Sequence, residues 1–291
     1  MTHGKAWVEM VHRYLAMGVG VLITVLTVAA WLGRKRQVGR GTISPWWATV
    51  TWVWVCVQGA FGALTVTMKL FPAIVTLHLL GGMVLLALLV VQVAQAARAV
   101  PGSRGGGAQP VAVLHGTARL LYAASAALAL QIALGGWVST NYAVLACSDF
   151  PQCQGKFWPA MNFDEGFGLW RALGHTTAGA VISFPALTAI HYTHRLAAAL
   201  VLLLLAALAL RLNRTPSLRQ PSRWIAALAG LQVASGLGNV VLGWPLLAAL
   251  LHTAGAAGLV MALTWVGCQV RVAGASRQGQ PGVRTDERAL A

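Results

Sequence analysis

Long apolar runs recur along this chain, and they constrain its fold more than any other feature. A membrane-spanning α-helix needs about 20 mostly apolar residues, and seven runs approach or reach that length. They lie at 14–33, 47–67, 74–96, 119–140, 185–210, 224–243 and 247–269. Because lipid offers the backbone no hydrogen-bond partners, all of these runs are predicted to be helical. The sequence therefore predicts an all-α polytopic membrane protein with seven transmembrane helices.

Most charged residues lie in the short connections between these runs. Only 9% of the 291 residues are charged, although the net charge is +15. A soluble domain carries about 25% charged residues, so membrane topology explains the positive charge better than a nucleic-acid partner does. Connections rich in arginine alternate with connections that hold Lys69, Asp149 and Asp164. The positive-inside rule then places the arginine-rich set in the cytoplasm, and it places Met1 and the second set outside.

A His-Arg pair stands at the start of an apolar run twice in this sequence. His12-Arg13 precedes the first run, and His194-Arg195 occurs near the start of the fifth. Repetition of a pattern along a chain indicates repeated structural units. The chain is therefore predicted to hold two related helical bundles.

A second repeated pattern supports this division. The motif Gln58-x3-Gly62 precedes His78 by the same spacing that separates Gln232 from His252 in the second half. A third Gln-x3-Gly motif begins at Gln131 and has no counterpart in the first half. The second half thus has four predicted helices and the first half three. An ancestral protein with eight helices would explain this asymmetry, and we expect a first helix to be missing from the sequence.

Four histidines of these repeated patterns are expected near the outer ends of their helices. They are His12, His78, His194 and His252. Histidine inside a membrane is energetically costly and indicates a functional site, and axial imidazole ligation is a common way to bind heme iron. We therefore predict two bis-histidine heme sites, one in each half. Hydrogen bonding of each histidine across the helices is the simpler alternative, and zinc is less favoured because no closely spaced His/Cys set is present.

Residues next to these histidines could complete the two sites. Arg13 and Arg195 lie one residue nearer the headgroups and could pair with heme propionates. Small residues thin helix faces, so some glycines could admit a flat macrocycle, although they also serve plain helix packing. These glycines are Gly59, Gly62, Gly236 and Gly238.

Glu9 is the acidic residue that lies beside a span. It precedes His12 by three residues, so both side chains share one helix face. A carboxylate beside the ligand could donate or accept a proton during a reaction. Its repeat position holds His191, which makes the two sites chemically unequal. The alternative is an interfacial Glu9 paired with Lys5 or Arg13.

Two cysteines lie close together in the long outer connection. Five residues separate Cys147 from Cys153. Disulfides form and persist in oxidising compartments such as the bacterial periplasm. The pair is therefore predicted to form a disulfide that closes the loop over the second site, with a redox role as the alternative.

Taken together, these residues resemble the heme A synthase family of membrane enzymes. The pattern runs in order along nearly the whole chain, from Trp7 to about Arg271. Its parts are Glu9-x-x-His12-Arg13, His78, Gly135-Gly136-Trp137 with the Cys147/Cys153 loop, His194-Arg195 and His252. The resemblance implies two four-helix bundles and oxidation of a methyl group of heme O, through an alcohol and a hydrated aldehyde, to the formyl group of heme A.

The resemblance also implies that the two bundles have different functions. The substrate heme O would bind between His12 and His78 with Glu9 beside it, and a heme b between His194 and His252 would pass electrons. A heme O synthase would supply the substrate. The sequence does not identify the electron donor, and it does not decide whether the protein forms a homo-oligomer. The location would be the cell inner membrane, with both sites near the periplasmic face. Family members begin with a further helix, which we expect to be missing from this sequence.

The expected domain organisation follows from the same reading. An amino-terminal bundle at 1–98, a cytoplasmic linker at 99–118, a carboxy-terminal bundle at 119–271 and a disordered tail at 272–291 are predicted. Two other functions stay open at this point. One is a bis-heme b-type cytochrome that relays electrons from quinol, and the other is a transporter without heme. Glu9 and the unequal halves count against the first, and the absence of helices broken by Gly or Pro counts against the second.

Overall fold

The computed structural model describes residues 3–34, 44–99 and 110–273. Within these ranges, seven helices are long and apolar enough to cross a membrane. In chain order the helices are α1 His3–Gly33, α2 Pro45–Thr67, α3 Pro72–Ala99, α4 His115–Thr140, the short α5 Phe163–Gly166, α6 Phe184–Asn213, α7 Arg219–Val241 and α8 Leu246–Gln269. The predicted all-α membrane fold is confirmed.

The helices match the predicted spans closely at most ends. The predicted 224–243 extends slightly past α7, which ends at Val241. The largest difference is α1, which begins at His3 instead of near residue 14. Glu9 and His12 therefore lie on the part of α1 that precedes the apolar run, as their predicted shared helix face requires. An apolar run marks only the part of a helix that lipid covers, so a polar extension of the same helix leaves no hydropathy signal.

The four helices of the second half form a closed bundle. Helix α4 packs against α6 and α8, and α7 packs against the same two helices from the other side. As a result α6 and α8 face each other diagonally across the bundle. Large apolar side chains fill the centre, including Leu205, Leu208, Ile225, Leu259 and Val266. This packing places His194 of α6 and His252 of α8 on opposite sides of one interior.

Within residues 3–34 and 44–99, the first half has three helices, and no fourth helix packs on the outer face of α1. Helix α1 packs on α2, α2 packs on α3, and α3 packs on α4 and α8 of the second half. Ile23 is a buried side chain of α1, whereas Trp7, Leu15 and Leu22 are 64%, 65% and 63% exposed. In a membrane such apolar side chains contact lipid.

The turn between the last two helices of each half has the same backbone form. Lys69 and Leu70 join α2 to α3 with φ of 52° and 58°, and Gly243 and Trp244 join α7 to α8 with φ of 69° and 64°. Positive φ is uncommon outside glycine, so two successive residues of this kind are a specific feature. The halves therefore share a turn as well as a sequence pattern.

A short parallel strand pair joins the two ends of the second bundle. Val111–Val113 pairs with Val270–Val272. The first strand lies inside the predicted linker, and the second strand ends at Val272, the first residue of the predicted tail. Residues 100–109 and 274–291 lie outside the described ranges.

The outer connection between α4 and α6 is held together by several contacts. The Cys147–Cys153 disulfide is present, as predicted. Trp137 at the end of α4 donates from Nε1 to the main-chain oxygen of Gly166 at 2.9 Å. Trp170 packs against Phe71 at the start of α3, with ring centroids 4.8 Å apart. The loop therefore covers the outer end of the second bundle and also contacts the first half.

Candidate functional site

His194 and His252 face each other across the second bundle. Their ring centroids lie 6.4 Å apart, and the ring planes are inclined by 70°. A metal–nitrogen bond of about 2 Å on each side, added to the half-widths of two imidazoles, places such centroids roughly 6 Å apart. The observed separation therefore fits two imidazoles that bind one iron atom from opposite sides. Both side chains are partly buried, as an axial ligand pair inside a bundle requires.

The first half places its own two histidines on the corresponding helices. His12 lies on α1 and His78 on α3, the two helices that flank α2. The two side chains are close enough for their charges to interact, although no ring contact joins them within the described ranges. His12 is exposed, because no helix in the described part of the chain covers this face of α1. The first site is therefore more open than the second.

Three of the four histidines rest against the glycine of a Gln-x3-Gly motif on a neighbouring helix. The pairs are Gly62 with His78, Gly135 with His194 and Gly236 with His252. A Cβ atom added at any of these glycines would lie 3.0–3.3 Å from Cε1 of the ring. Such distances are tighter than ordinary van der Waals contact, so a methyl group would displace the imidazole. We call these three contacts the glycine seats.

The glutamine of the same motif holds the backbone of the histidine helix. Gln131 donates from Nε2 to the main-chain oxygen of His194 at 3.1 Å, and it also contacts Nδ1 at 3.0 Å. Gln232 donates from Nε2 to the main-chain oxygen of His252 at 2.9 Å. A Cβ on Gly255 would overlap the side-chain amide of Gln232. The motif thus fixes both the ring and the helix that carries it.

The first half has the same close approach between a glutamine and the glycine that follows its histidine. A Cβ on Gly81 would overlap the side-chain amide of Gln58. Gly81 follows His78 by the same three residues that separate Gly255 from His252. Sequence reasoning detected these motifs as a repeat but assigned the glycines to macrocycle space or plain packing. The sequence did hold a signal for these contacts, because the Gln-x3-Gly motif occurs three times in a chain with four paired histidines.

Arg195 ties helix α6 to the disulfide loop. Its Nη1 donates to the main-chain oxygens of Asp149 and Gln152 at 2.8 and 2.9 Å, and its Nη2 donates to that of Cys147 at 2.8 Å. Its Nε donates to Nε2 of His191 at 3.2 Å. All three guanidinium nitrogens therefore have protein partners. The predicted pairing of Arg195 with a heme propionate stays a prediction, and the observed contacts give this residue a structural role.

Glu9 and Arg13 form an ion pair on the surface of α1. The side chain of Glu9 is 45% exposed and that of Arg13 is 55% exposed. This pairing is the alternative weighed for Glu9 from the sequence, and the predicted role of Glu9 in proton transfer stays untested. The second half repeats the spacing, since His191 and Arg195 also contact each other one helical turn apart. His191 is buried, so the two halves differ in polarity and in exposure.

Ionisable groups of the outer loop are held by local hydrogen bonds. The main-chain N–H groups of Gly155 and Gln154 donate to the Asp149 carboxylate at 2.8 and 2.7 Å, and they lower the pKa of Asp149. Hydrogen bonds from Ser183 lower the pKa of Glu165 in the same way. Favouring the charged form in this manner stabilises the loop at neutral pH.

Arg171 is a further buried cation in this loop. It is 3% exposed, and its guanidinium lies 5.5 Å from the ring centroid of Trp137. Burial lowers the pKa of Arg171, since removal from water disfavours the charged form. Nη1 donates to the main-chain oxygen of His175 at 3.0 Å. The contact with Trp137 packs the loop against the outer end of α4.

Comparison with known proteins identifies the family. The sequence pattern of the COX15-CtaA family, described as cytochrome oxidase assembly protein, matches residues 1–264. The chain belongs to the COX15-CtaA family. The match extends over both halves, so it includes all four histidines and the disulfide loop. The resemblance stated from the motifs alone is confirmed.

Three curated relatives of this COX15-CtaA chain are named heme A synthase. The protein of Shewanella oneidensis is 34% identical over 263 residues, which are 90% of this chain and 76% of that protein. The protein of Symbiobacterium thermophilum is 31% identical over 257 residues, which are 85% of this chain and 74% of that protein. The protein of Rhizorhabdus wittichii is 27% identical over 265 residues, or 89% and 70% of the two chains.

Proposed function

We propose that this protein is a heme A synthase that oxidises the methyl group of heme O to a formyl group. Membership of the COX15-CtaA family, with relatives named heme A synthase, supports the activity. The observation that carries the proposal is the facing pair His194 and His252, whose ring separation of 6.4 Å suits a bis-imidazole iron site.

The second half would hold the resident cofactor. His194 and His252 are the proposed axial ligands of a heme b, which supplies one-electron transfer when bound. The glycine seats at Gly135 and Gly236 hold the rings in place. Both histidine side chains are partly buried inside the closed bundle, so this site suits a resident electron-transfer cofactor better than a substrate that must enter and leave.

The first half would bind the substrate. His12 and His78 are the proposed ligands of heme O, and the open face of α1 suits a molecule that must enter and leave through the membrane. Glu9 lies one helical turn from His12 and is the proposed proton donor or acceptor. Arg13 forms an ion pair with the Glu9 carboxylate.

The setting of the enzyme follows from the charge pattern. We place it in the cell inner membrane with both sites near the periplasmic face, because the arginine-rich connections favour the cytoplasm. The disulfide loop would then be in an oxidising compartment. A heme O synthase is the proposed supplier of the substrate, and lipid surrounds the helices. An electron donor and a homo-oligomeric assembly are further parts of this proposal.

The test is production of heme A in cells that make heme O and lack their own heme A synthase. Cells that express this chain should yield a formyl porphyrin, identified by the mass of the extracted pigment. Glu9→Gln should retain heme and stop product formation, whereas Asp164→Asn, at an exposed acid of the outer loop, should leave product unchanged. Heme O as the final pigment with the unaltered chain would contradict the proposal.

A further inference from the structure

Ser235 is a buried hydroxyl that contacts one of the paired histidines. It is 5% exposed and lies on α7, one residue before the glycine seat at Gly236. Its Oγ is 3.0 Å from Nδ1 of His252. The contact joins α7 to α8 at the level of the proposed iron ligand.

The direction of this hydrogen bond follows from the other contacts of Ser235. A serine hydroxyl carries one proton and two acceptor lone pairs. Oγ donates to the main-chain oxygen of Leu231 at 2.6 Å, which is the shortest of its contacts. With its proton engaged there, Oγ meets His252 as an acceptor. The proton of this hydrogen bond therefore belongs to Nδ1 of His252.

This assignment decides which ring nitrogen is free. A neutral imidazole carries one proton, so a proton on Nδ1 leaves the lone pair of Nε2 unprotonated. Ligand histidines in metal sites usually donate their other N–H to a protein acceptor, which fixes the tautomer and strengthens the ligand. We propose that Ser235 is a positioning residue of the second site, which holds His252 in the tautomer that binds iron through Nε2. The inference rests on the proposed role of His252 as an axial ligand.

The first half lacks this device. By the spacing of the repeat, Phe61 occupies the position of Ser235, and it precedes Gly62 as Ser235 precedes Gly236. Phenylalanine has no acceptor, and Nδ1 of His78 is buried without a hydrogen-bond partner in the described part of the chain. The stronger ligand would thus belong to the electron-transfer site, and the more weakly held one to the site whose occupant must leave.

The experiment compares serine variants of the full chain purified from heme-replete cells. Ser235→Ala removes the acceptor and should raise the midpoint potential of the low-spin heme, because a weaker ligand stabilises ferric iron less. It should also speed the transfer of heme to an excess of an acceptor protein about tenfold. Ser235→Thr keeps the hydroxyl and should restore both values. Ser125→Ala is the matched control, since Ser125 donates to Leu121 four residues earlier and contacts no paired histidine.

Each result has a defined meaning. A raised potential in Ser235→Ala with values like the original in Ser235→Thr and Ser125→Ala supports the inference. An unchanged midpoint potential and an unchanged heme transfer rate in Ser235→Ala overturn the inference about Ser235, but they do not contradict the proposed heme site. If Ser235→Ala does not accumulate, Ser235→Cys gives the same readings, because a thiol is nearly the same size and a weak acceptor. Unaltered protein that binds no heme contradicts the proposed function and this inference with it.

Discussion

Nη2 of Arg195 donates a hydrogen bond to the main-chain oxygen of Cys147, 2.8 Å away. This bond links the residue after His194 to the first cysteine of the outer disulfide. Further donation to Asp149 and Gln152 means that one guanidinium organises most of the loop between the cysteines. Helix α6 and the disulfide loop that covers it are therefore held together as one unit.

Replacement of Arg195 should loosen this unit. Hydrogen bonds to a charged group contribute about 1.5–3 kcal/mol each, so Arg195→Ala should lower the free energy of unfolding by at least about 2 kcal/mol. Thermal unfolding in detergent measures the loss, and protease cleavage between residues 147 and 156 should accelerate. Arg13→Ala is the control, because exposed ion pairs such as the one with Glu9 contribute about 1 kcal/mol or less. Equal effects of the two variants would contradict this account of Arg195.

The disulfide should contribute to the same cover. A short closed loop such as that between Cys147 and Cys153 is expected to stabilise the protein by roughly 2 kcal/mol. The double variant Cys147→Ser with Cys153→Ser should lose that amount in thermal unfolding. Cys56→Ser, at an exposed free cysteine, should have little effect. A double variant as stable as the original would show that Arg195 alone holds the loop.

The seven helices could be predicted from the sequence because their signal is local. Length and hydropathy define each span, and the predicted 247–269 nearly coincides with α8 at Leu246–Gln269. The paired histidines were found for a related reason, since spacing along a helix fixes depth in the membrane. The repeated motifs then showed that His12 corresponds to His194 and that His78 corresponds to His252.

Contacts between distant segments were beyond sequence reasoning. The outer loop has no periodic pattern, and its order depends on Arg195 and on the Trp137 bond to Gly166, which join residues far apart in the chain. The glycine seats depend on how two helices cross, so the sequence alone did not predict that Gly135 and Gly236 contact the imidazole rings. The sequence gives no sign of the loop partners of Arg195, and its predicted pairing with a heme propionate stays a prediction.

Loop stability should depend on pH through Asp149. Hydrogen bonds from Gly155 and Gln154 lower the pKa of Asp149 below its usual value of about 3.9. A lowered pKa means that the stabilisation is complete above pH 4 or so and is lost as the pH falls through the lower, folded-state value. Protease cleavage of the loop, followed by a quench at neutral pH, should accelerate at acid pH. Asp149→Asn should remove this pH dependence, and persistence of the dependence would contradict the assignment.

The glycine seats predict a graded set of substitutions. Gly62→Ala, Gly135→Ala and Gly236→Ala should each displace the adjacent imidazole and reduce bound heme, as measured by the pyridine hemochrome spectrum. Gly135→Ala should have a larger effect than Gly236→Ala, since its Cβ would lie 3.0 Å rather than 3.3 Å from Cε1 of the ring.

Two other glycines provide matched controls for these variants. Gly59 on α2 and Gly230 on α7 have open space where a Cβ would be placed. Alanine there should leave heme content unchanged and could stabilise the helix by about 0.5–1 kcal/mol. Heme loss of the same size in Gly230→Ala and Gly236→Ala would show that the seats have no special role.

The central claim is that His194 and His252 hold one iron atom between them, and the optical and electron paramagnetic resonance spectra of the purified full chain test it most directly. The account predicts a six-coordinate low-spin heme signal in the unaltered protein. His194→Ala and His252→Ala should each abolish the signal of the second site, whereas His175→Ala, at an exposed loop histidine, should leave it intact. A colourless protein from heme-replete cells, or an unchanged low-spin spectrum in both alanine variants, would contradict the account.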